Sequence, residues 1–331
     1  VEMARLAYPA WEALSEAAGR PLWQKTGLVE YGPSEHEAIA QSEAILKQYE
    51  LPYEKLTAKQ AQQRFPQFAL ADDSHILYQP DGAVAFATPA VQALWRLAEA
   101  AGAETRSNTQ ITQIDLDDQV LCLRTADDEM LCGSRLVVTA GGWAGQLLSD
   151  LGLDIPLEVT QEVLSYYPPK DNTVDHRVGT QPVMIDYHAY FENDAPFYSV
   201  PQIDVQGVKV GWHHTGTVVN PDHPQADYDH LLEGAKGWIE RVYPHLIPEP
   251  IEVQTCLYTN TPDYHFILDR HPQNANIVIG AGFSGHGFKF GPVLGEILAD
   301  LVQEREPKVS LDTFALARFE APETLQKRVG A

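Results

Sequence analysis

The feature that most constrains the fold lies near the C-terminus, where a strand, a glycine-rich turn and a helix follow one another. Residues 276–279 form a short apolar run typical of a buried strand, and residues 293–302 carry apolar side chains at helical spacing. The turn between them reads GAGFSGHGFK from Gly280. Such a turn presents backbone N–H groups and the positive end of a helix dipole to an electron-rich ligand. We therefore expect it to lie against a flat ligand, although an ordinary strand-to-helix turn has the same order of elements.

The glycine spacing alone is compatible with a dinucleotide site, because Gly280, Gly282 and Gly285 fit the G-x-G-x-x-G pattern. That pattern continues into a second strand that ends in an acidic residue about 20 residues further on. Here the helix runs into residues 304–307, Glu-Arg-Glu-Pro, with little further chain. The turn is therefore not interpreted as part of a complete Rossmann dinucleotide-binding unit. An NAD-linked dehydrogenase that uses this turn is kept as an alternative function.

The composition excludes some classes of partner. With 331 residues, 44% of them hydrophobic, the chain is long enough for a globular protein with two lobes. Asp and Glu outnumber Lys and Arg by 46 to 23, which makes nucleic acid and anionic membranes poor partners. The sequence has no long apolar run typical of a membrane span and no signal-peptide pattern at its start, so we predict a cytoplasmic protein.

The three cysteines are too few for a disulfide framework and fit a reducing compartment. Cys122 and Cys132 flank a predicted hairpin tip at residues 127–129 and could face each other, but we interpret both as buried small apolar side chains. Cys256 ends a predicted strand and is a core thiol, a nucleophile or a covalent anchor. Nothing near it in the sequence supplies the histidine and helix N-terminus that favour a nucleophile.

Helices and short strands alternate in the chain before residue 156. Apolar spacing predicts a first helix over residues 6–16, while Ser34 (with Glu37 as a capping box) and Thr57 are predicted to cap the next two helices. Pro89 is predicted at the first position of a fourth helix. Strands are then predicted over residues 105–107, 111–116, 120–125 and 130–132.

Residues 156–258 have a different sequence pattern. Segments rich in aromatic residues, with the alternation typical of antiparallel strands, predominate there, and one helix is predicted over residues 228–242. Elements that lead into glycine turns lie on both sides of this part. We therefore predict an α+β fold with two domains assembled from separate pieces. One domain comprises residues 1–20, 81–155 and 253–331, and the other comprises residues 21–80 and 156–252.

Several other side chains have both a structural and a chemical interpretation. Lys209 lies in an alternating apolar strand, where it is either on the solvated face or buried with a lowered pKa and a mechanistic role. Tyr198 and Tyr258 are either core aromatics or substrate contacts. The histidines, including His213 and His286, show no spacing typical of metal ligands, so no metal site is predicted.

Two motifs near the C-terminus carry a family resemblance. They are Cys-Leu-Tyr-Thr-x-Thr-x-Asp-x-His-Phe-x-x-Asp from Cys256 and Gly-Phe-Ser-Gly-His-Gly-Phe-Lys-Phe from Gly282. Supporting motifs begin at Lys25, Asp81, Val138 and Lys209. Together they resemble the monomeric sarcosine oxidase and N-methyl-L-tryptophan oxidase family, flavoenzymes of the D-amino-acid-oxidase-like group. The resemblance extends over nearly the whole chain.

The resemblance implies a glutathione-reductase-like FAD-binding domain joined to an antiparallel β-sheet substrate domain. It further implies oxidation of a secondary amine, such as an N-methyl amino acid, by a monomeric enzyme whose flavin is reoxidised by O2 to give H2O2. In this family a lysine beside the flavin assists the reaction with O2, and Lys209 matches it. The dipole of the helix after Gly287 would likewise stabilise negative charge on a reduced ring.

The resemblance also implies roles for individual residues. Cys256 matches the cysteine that carries FAD through a thioether, and Lys289 matches a lysine that holds the substrate carboxylate. Tyr198, His213 and Tyr258 match residues around the amine. The remaining matches are cofactor contacts: Ile111, Ala140, Gly141 and Trp143 in the second segment, and Gly282, Gly285, His286, Gly287, Phe288 and Lys289 in the glycine turn.

One part of the family pattern has no counterpart here. The family begins with a strand, a G-x-G-x-x-G turn and an acidic residue that hold the ADP half of FAD, followed by a Ser-His-His-Gly-Asp-Thr-Arg-like segment. Val1 is expected to match a position roughly 50 to 60 residues into the family, judged by that missing unit. The chain is therefore expected to be a fragment, and a catalytically inactive binding or scaffold module is the alternative function. Lys289 is then the one carboxylate partner that the resemblance supplies.

Overall fold

The structure is a computed structural model that describes residues 1–116, 120–190 and 193–320, and the predicted α+β class is confirmed. The helices in these residues are α1 (Glu2–Ala18), α2 (Glu37–Gln48), α3 (Ala58–Arg64), α4 (Ala87–Ala100), α5 (Ala144–Asp150), α6 (Asp229–Val242) and α7 (Gly291–Val302). The strands are β1 (Trp23–Lys25), β2 (Leu28–Pro33), β3 (Glu54–Leu56), β4 (Ser74–Gln79), β5 (Ala83–Ala85), β6 (Ile111–Leu116), β7 (Leu121–Thr125), β8 (Met130–Gly133), β9 (Leu136–Val138), β10 (Glu158–Tyr167), β11 (Val183–Asp186), β12 (Phe197–Val200), β13 (Val208–Trp212), β14 (Thr217–Val218), β15 (Glu252–Asn260), β16 (Ile267–His271) and β17 (Asn274–Ala281).

Local sequence signals explain the C-terminal end of α1 and the N-terminal end of α3. Gly19, with φ of 67°, closes α1 in the left-handed conformation. Thr57 and Gln60 form a reciprocal capping box at the start of α3, so the predicted cap at Thr57 is confirmed. None of the helices in the described ranges is long and apolar enough to cross a bilayer.

Three local predictions are wrong. Ser34 does not cap α2, because residues 34–35 form a turn closed by the His36 N–H on the Pro33 carbonyl, and the helix begins only after it. Pro89 is the third residue of α4 and not the first, a place where its missing N–H is also harmless. Residues 105–107 do not form a strand, since no ladder partner reaches them within the described chain.

The largest sheet has nine strands and is mainly antiparallel. Its order is β14-β10-β13-β12-β11-β2-β4-β3, and β15 pairs with the remaining edge of β10. An aromatic core covers one face, where the Phe197 ring stacks on Trp212 at 4.7 Å and on Trp238 of α6 at 5.1 Å. Alternate residues of the same strands point to the opposite face, which bears the candidate site.

A second sheet, in the order β16-β17-β9, is buried on both faces. Val278 packs with α1 and α7 on one side, whereas Ile277 and Ile279 pack with α5 on the other. This double burial explains the nearly continuous apolar run of β17 that leads into the glycine turn. The division into two domains with the predicted boundaries stays a prediction.

The interpretation of Cys122 and Cys132 as buried apolar side chains is wrong. The two residues face each other on β7 and β8, with Cα atoms 4.1 Å apart, and form a disulfide. Cys132 is exposed and Cys122 is only partly buried. The hairpin register brings the two thiols together, so the cysteine content no longer argues for a reducing compartment.

Candidate active site

A cavity of about 730 Å³ lies between the large sheet and the glycine turn. Lys209 and Cys256 line it from the sheet, and Gly141 lines it from the turn after β9. The glycine turn contributes most of the opposite wall, namely residues 282–285 and 287–289. The structure therefore brings three separate parts of the predicted site to one place.

Strand register places the predicted side chains on one face of the sheet. In antiparallel pairs, residues that face each other project to the same side, and alternate residues return to it. Cys256 faces Glu162 of β10, while Lys209 faces Tyr166 of the same strand. Since 162 and 166 differ by four positions, Cys256 and Lys209 lie on the same face.

The same argument adds the two tyrosines to this face. Tyr198 of β12 faces Gly211, two residues after Lys209. Tyr258 is two residues after Cys256 and faces Thr160 of β10. The Tyr198 ring fills the space above Gly211, where a Cβ would lie 2.6 Å from the phenol oxygen. All four side chains therefore share the face opposite the aromatic core.

The glycine turn folds directly onto β15. Gly282 and Gly285 have φ of 63° and 72°, a region that glycine adopts without cost. A Cβ at Gly285 would lie 2.2 Å from the Tyr258 ring. Ser284 is buried, and its N–H donates to the Thr259 carbonyl at 3.0 Å. The glycines therefore let the turn lie close to the sheet and form one wall of the cavity.

His213 lies just beyond β13 and reaches the same group of side chains. Its Nδ1 atom is 3.2 Å from the Tyr258 hydroxyl, and its ring meets Tyr198 edge-on with centroids 6.1 Å apart. Burial, assisted by the neighbouring His214, His286 and Lys289, lowers the pKa of His213 to about 3. The imidazole is therefore neutral near neutral pH and acts as a hydrogen-bonding group.

Burial disfavours the charged forms of the two predicted lysines and of the thiol. It lowers the pKa of Lys209, with a smaller opposing effect from Cys256. It raises the pKa of the Cys256 thiol, and the negative charge of Glu162 raises it further. The Lys289 side chain keeps solvent contact inside the cavity, but enough protein surrounds it for desolvation to lower its pKa as well.

Some predicted cofactor contacts are not gathered in this cavity. Ile111, Ala140 and Trp143 line a separate cavity of about 480 Å³, where the Trp143 Nε1–H donates to Asp222 at 2.7 Å. His286 turns toward Phe266, with ring centroids 4.7 Å apart, and its Nδ1 lies 2.8 Å from the Ser284 carbonyl. Within the described residues, no group of three or more His, Cys, Asp or Glu side chains is arranged to hold a metal ion.

The sequence motifs did not identify a buried acidic residue that lies next to the cavity. Glu162 is 2% exposed, lies opposite Cys256 and accepts hydrogen bonds from Thr160 and Gly216. An acidic side chain in a strand is normally assigned to the solvated face. The signal that could have found it is the register between β10 and β15, which requires a long-range pairing.

The cavity fits the flat ring of a flavin. Its volume lies within the range of small-molecule and cofactor sites. Glycines lie on two of its walls, Gly141 and Gly142 on one and Gly282 and Gly285 on the other, where a ligand can approach the backbone closely. A thiol and an ammonium group stand on the third wall. Lys209, Cys256 and the glycine turn are therefore the residues that would hold the ring.

Known proteins resemble this chain over most of its length. Residues 1–301 match the DAO family, described as FAD dependent oxidoreductase. The chain is 33% identical over 317 residues to peroxisomal sarcosine oxidase of Homo sapiens, covering 94% of this chain and 80% of that protein. It is 28% identical over 314 residues to N-methyl-L-tryptophan oxidase of Escherichia coli O157:H7, with coverages of 94% and 81%.

Solved structures of such enzymes also match the fold of this chain. NikD, an amino acid oxidase essential for nikkomycin biosynthesis, matches in its open form with a TM-score of 0.81 and 24% identity over 95% of this chain and 82% of that one. The chain therefore belongs to the DAO family of FAD-dependent oxidoreductases, as its motifs predicted. Within that family it is an FAD-dependent amine oxidoreductase, and the predicted fold class is confirmed.

Proposed function

We propose that this protein oxidises a secondary amine, such as an N-methyl amino acid, to an imine, with O2 as the electron acceptor and H2O2 as the second product. Water then hydrolyses the imine. The observation that carries the proposal is the shared cavity, in which Lys209 and Cys256 on one sheet face lie across from Lys289 of the glycine turn. The relatives named sarcosine oxidase and N-methyl-L-tryptophan oxidase support this substrate class.

FAD supplies two-electron oxidation of a C–N bond and reaction with O2 when it is bound. We infer that Cys256 holds it covalently through a thioether, since this thiol lies on the cavity wall and is not part of the disulfide. The glycine turn and Gly141 would contribute backbone contacts to the same group. Lys209, on the same wall, would supply a positive charge that stabilises the negative charge developing on a reduced ring or on O2.

The substrate contacts follow from charge and position. The Lys289 ammonium would bind the carboxylate of an amino acid. Tyr198, His213 and Tyr258 would surround its amine. Because the pKa of His213 is about 3, its neutral imidazole does not repel a protonated amine. These three residues therefore bind and orient the amine without adding charge.

The remaining parts of the proposal concern the whole protein. We infer a monomer that acts on a small molecule and not on nucleic acid, in keeping with the excess of acidic residues. A cytoplasmic location stays a prediction, and the disulfide between Cys122 and Cys132 removes one of its arguments.

O2 consumption and H2O2 formation test the function directly. The purified protein, supplied with FAD, is given sarcosine, N-methyltryptophan, a pipecolate-like cyclic amine and a glycated amino acid in turn. We expect O2 uptake with stoichiometric H2O2 for at least one of them, and a large loss of this activity in Lys289→Met. A protein that stays colourless with added FAD and consumes no O2 would favour the scaffold alternative.

A further inference from the structure

A buried carboxylate next to the cavity has no role in the function proposed above. Glu162 lies in the middle of β10, is 2% exposed and faces Cys256 across the strand pair. Burying a carboxylate costs folding free energy unless several donors satisfy it. Its position beside the proposed attachment residue of the flavin therefore needs an explanation.

Donors reach this carboxylate from two sides. The Thr160 hydroxyl donates to Oε1 at 2.7 Å and itself accepts from the Asn260 amide at 3.2 Å. From the other side, the Gly216 N–H donates to Oε2 at 3.0 Å. Hydrogen bonds that all point toward the carboxylate stabilise its ionised form. Burial has the larger effect, however, and raises the pKa of Glu162 overall.

The donor Gly216 belongs to the turn of residues 213–216, which begins with His213. A Cβ at Gly216 would lie 2.6 Å from a carboxylate oxygen of Glu162 and 2.4 Å from the Gln161 carbonyl. Only glycine therefore lets this N–H reach the carboxylate. His214, in the same turn, has φ of 57°, which is unfavourable for a residue with a side chain. The turn thus depends on an outside contact to keep its shape, and Glu162 provides one.

We propose that Glu162 is a positioning residue of the active site, whose carboxylate holds the turn of residues 213–216 against the sheet and so fixes His213 on Tyr258. The same group places a negative charge directly opposite Cys256. The inference rests on the proposed function, because His213 and Tyr258 are assigned to the amine there.

The charge of Glu162 has an effect that is measurable without cofactor. A carboxylate disfavours a neighbouring thiolate, and Glu162 accordingly raises the pKa of Cys256, whereas Lys209 lowers it. The titratable groups that face Cys256 are Glu162 and Tyr166 on β10, Tyr198 on β12, Lys209 on β13 and Tyr258 on β15. Cys256 is the one free thiol of the chain, because the other two cysteines form the disulfide. Its alkylation rate against pH therefore reports on Glu162.

Three substitutions separate the charge from the hydrogen bond to the turn. Glu162→Gln removes the charge but keeps an oxygen for the Gly216 N–H, while its NH2 group can donate to Thr160. Gly216→Ala breaks the contact and keeps the charge. Glu162→Ala removes both. Glu158→Gln and Glu158→Ala are the matched controls, because Glu158 is an exposed residue of the same strand.

The first readout is the rate of Cys256 alkylation by iodoacetamide in the cofactor-free chain. We expect Glu162→Gln and Glu162→Ala to shift its pH profile to lower pH by at least about half a unit, as the loss of a nearby like charge requires. Gly216→Ala and both controls should leave the profile in place. An unchanged profile in Glu162→Gln would overturn the electrostatic part of the inference.

The second readout is turnover of the loaded enzyme, together with the NMR signal of the His213 imidazole in the cofactor-free chain. We expect kcat to fall on the order of 10- to 100-fold in Glu162→Ala and Gly216→Ala, because a displaced active-site group costs about that much. The His213 signal should move in the same two variants, and Glu162→Gln should stay within about threefold of wild-type kcat. If Glu162→Ala and Gly216→Ala both leave kcat unchanged and the His213 signal unmoved, the positioning role of Glu162 is overturned. If the wild type oxidises no amine, the proposed function fails, while alkylation and NMR still decide the role of Glu162.

Discussion

The Tyr258 ring occupies the space that a side chain at Gly285 would need, since a Cβ built there would lie 2.2 Å from the ring. Tyr258 belongs to the sheet wall of the cavity and Gly285 to the turn wall. This contact therefore sets the distance between the two walls. It also explains why the turn carries a glycine at this position independently of its φ of 72°.

Replacing this glycine should damage the site more than the stability of the fold. In Gly285→Ala we expect the Tyr258 ring to be displaced, with a loss of kcat/KM of about 100-fold or more, as shifts near 1 Å produce. The left-handed conformation should cost a further 1–2 kcal/mol, roughly, in the free energy of unfolding. Steady-state kinetics and denaturant unfolding measure the two effects.

Gly152→Ala is the matched control for this prediction. Gly152 has φ of 76°, but nothing lies within 4 Å of a Cβ built on it. It should lose a similar amount of stability, on the order of 1–2 kcal/mol, and keep its kcat/KM. Equal kinetic losses in both variants would show that the Tyr258 contact is unimportant.

The proposed covalent link makes Cys256→Ala informative. After acid precipitation, flavin should stay with the wild-type polypeptide and appear in the supernatant of Cys256→Ala. Thr255→Ala serves as the control, because alternation along β15 turns residue 255 toward the opposite face. Free flavin in the wild-type supernatant would contradict attachment through Cys256 and leave the site itself open to non-covalent FAD.

Lys289 should give substrate binding a characteristic pH dependence. Only the ammonium form attracts a carboxylate, and desolvation lowers the pKa of Lys289 from its ordinary value of 10.5. KM for an amino-acid substrate should therefore rise as the pH increases through this lowered pKa, and it should begin to rise below pH 10.5. Lys289→Met should raise KM on the order of 10- to 100-fold at neutral pH, the usual loss for a charged hydrogen bond.

The amine of the substrate also titrates at alkaline pH, so a control is needed for this prediction. Lys289→Arg keeps the positive charge to higher pH because a guanidinium does not deprotonate in this range. Its rise in KM should be displaced to higher pH while the titration of the substrate is unchanged. Identical pH profiles for wild type and Lys289→Arg would assign the effect to the substrate and not to Lys289.

The disulfide predicts a simple thiol count. In denaturant without reductant, the cofactor-free protein should show one reactive thiol, Cys256, and after reduction it should show three. Replacing both Cys122 and Cys132 by serine should lower the free energy of unfolding by about 2–3 kcal/mol, as expected for a short closed loop. Neither cysteine lines the cavity, so kcat/KM should stay the same. Three thiols without reductant would contradict the pairing.

The sequence predicted the elements that local signals define. The glycine turn, its flanking strand and helix, and the cap at Thr57 are all present, because periodicity, glycines and capping residues act within a few positions. Ser34 shows the limit of such signals, since a turn that ends at His36 displaced the helix start beyond it. Helix beginnings depend on how the preceding strand ends, which the local pattern does not contain.

The specific motifs named residues that the structure brings to one cavity, and they missed a residue whose environment depends on long-range strand pairing. The motifs identified Cys256, Lys209 and Lys289, and the structure places all three on one cavity. They gave no indication of Glu162, because its burial depends on β10 pairing with β15 about 90 positions away. The disulfide was also missed, because the register between β7 and β8 determines that Cys122 and Cys132 face each other.

Anaerobic addition of substrate to the FAD-loaded protein tests the central claim most directly. The cavity bounded by Lys209, Cys256 and Lys289 is proposed to bring a secondary amine to the flavin. An N-methyl amino acid should therefore bleach the visible flavin band without O2, and admission of air should restore it with formation of H2O2. A flavin band that no secondary amine bleaches, in a protein shown to bind FAD, would contradict the account.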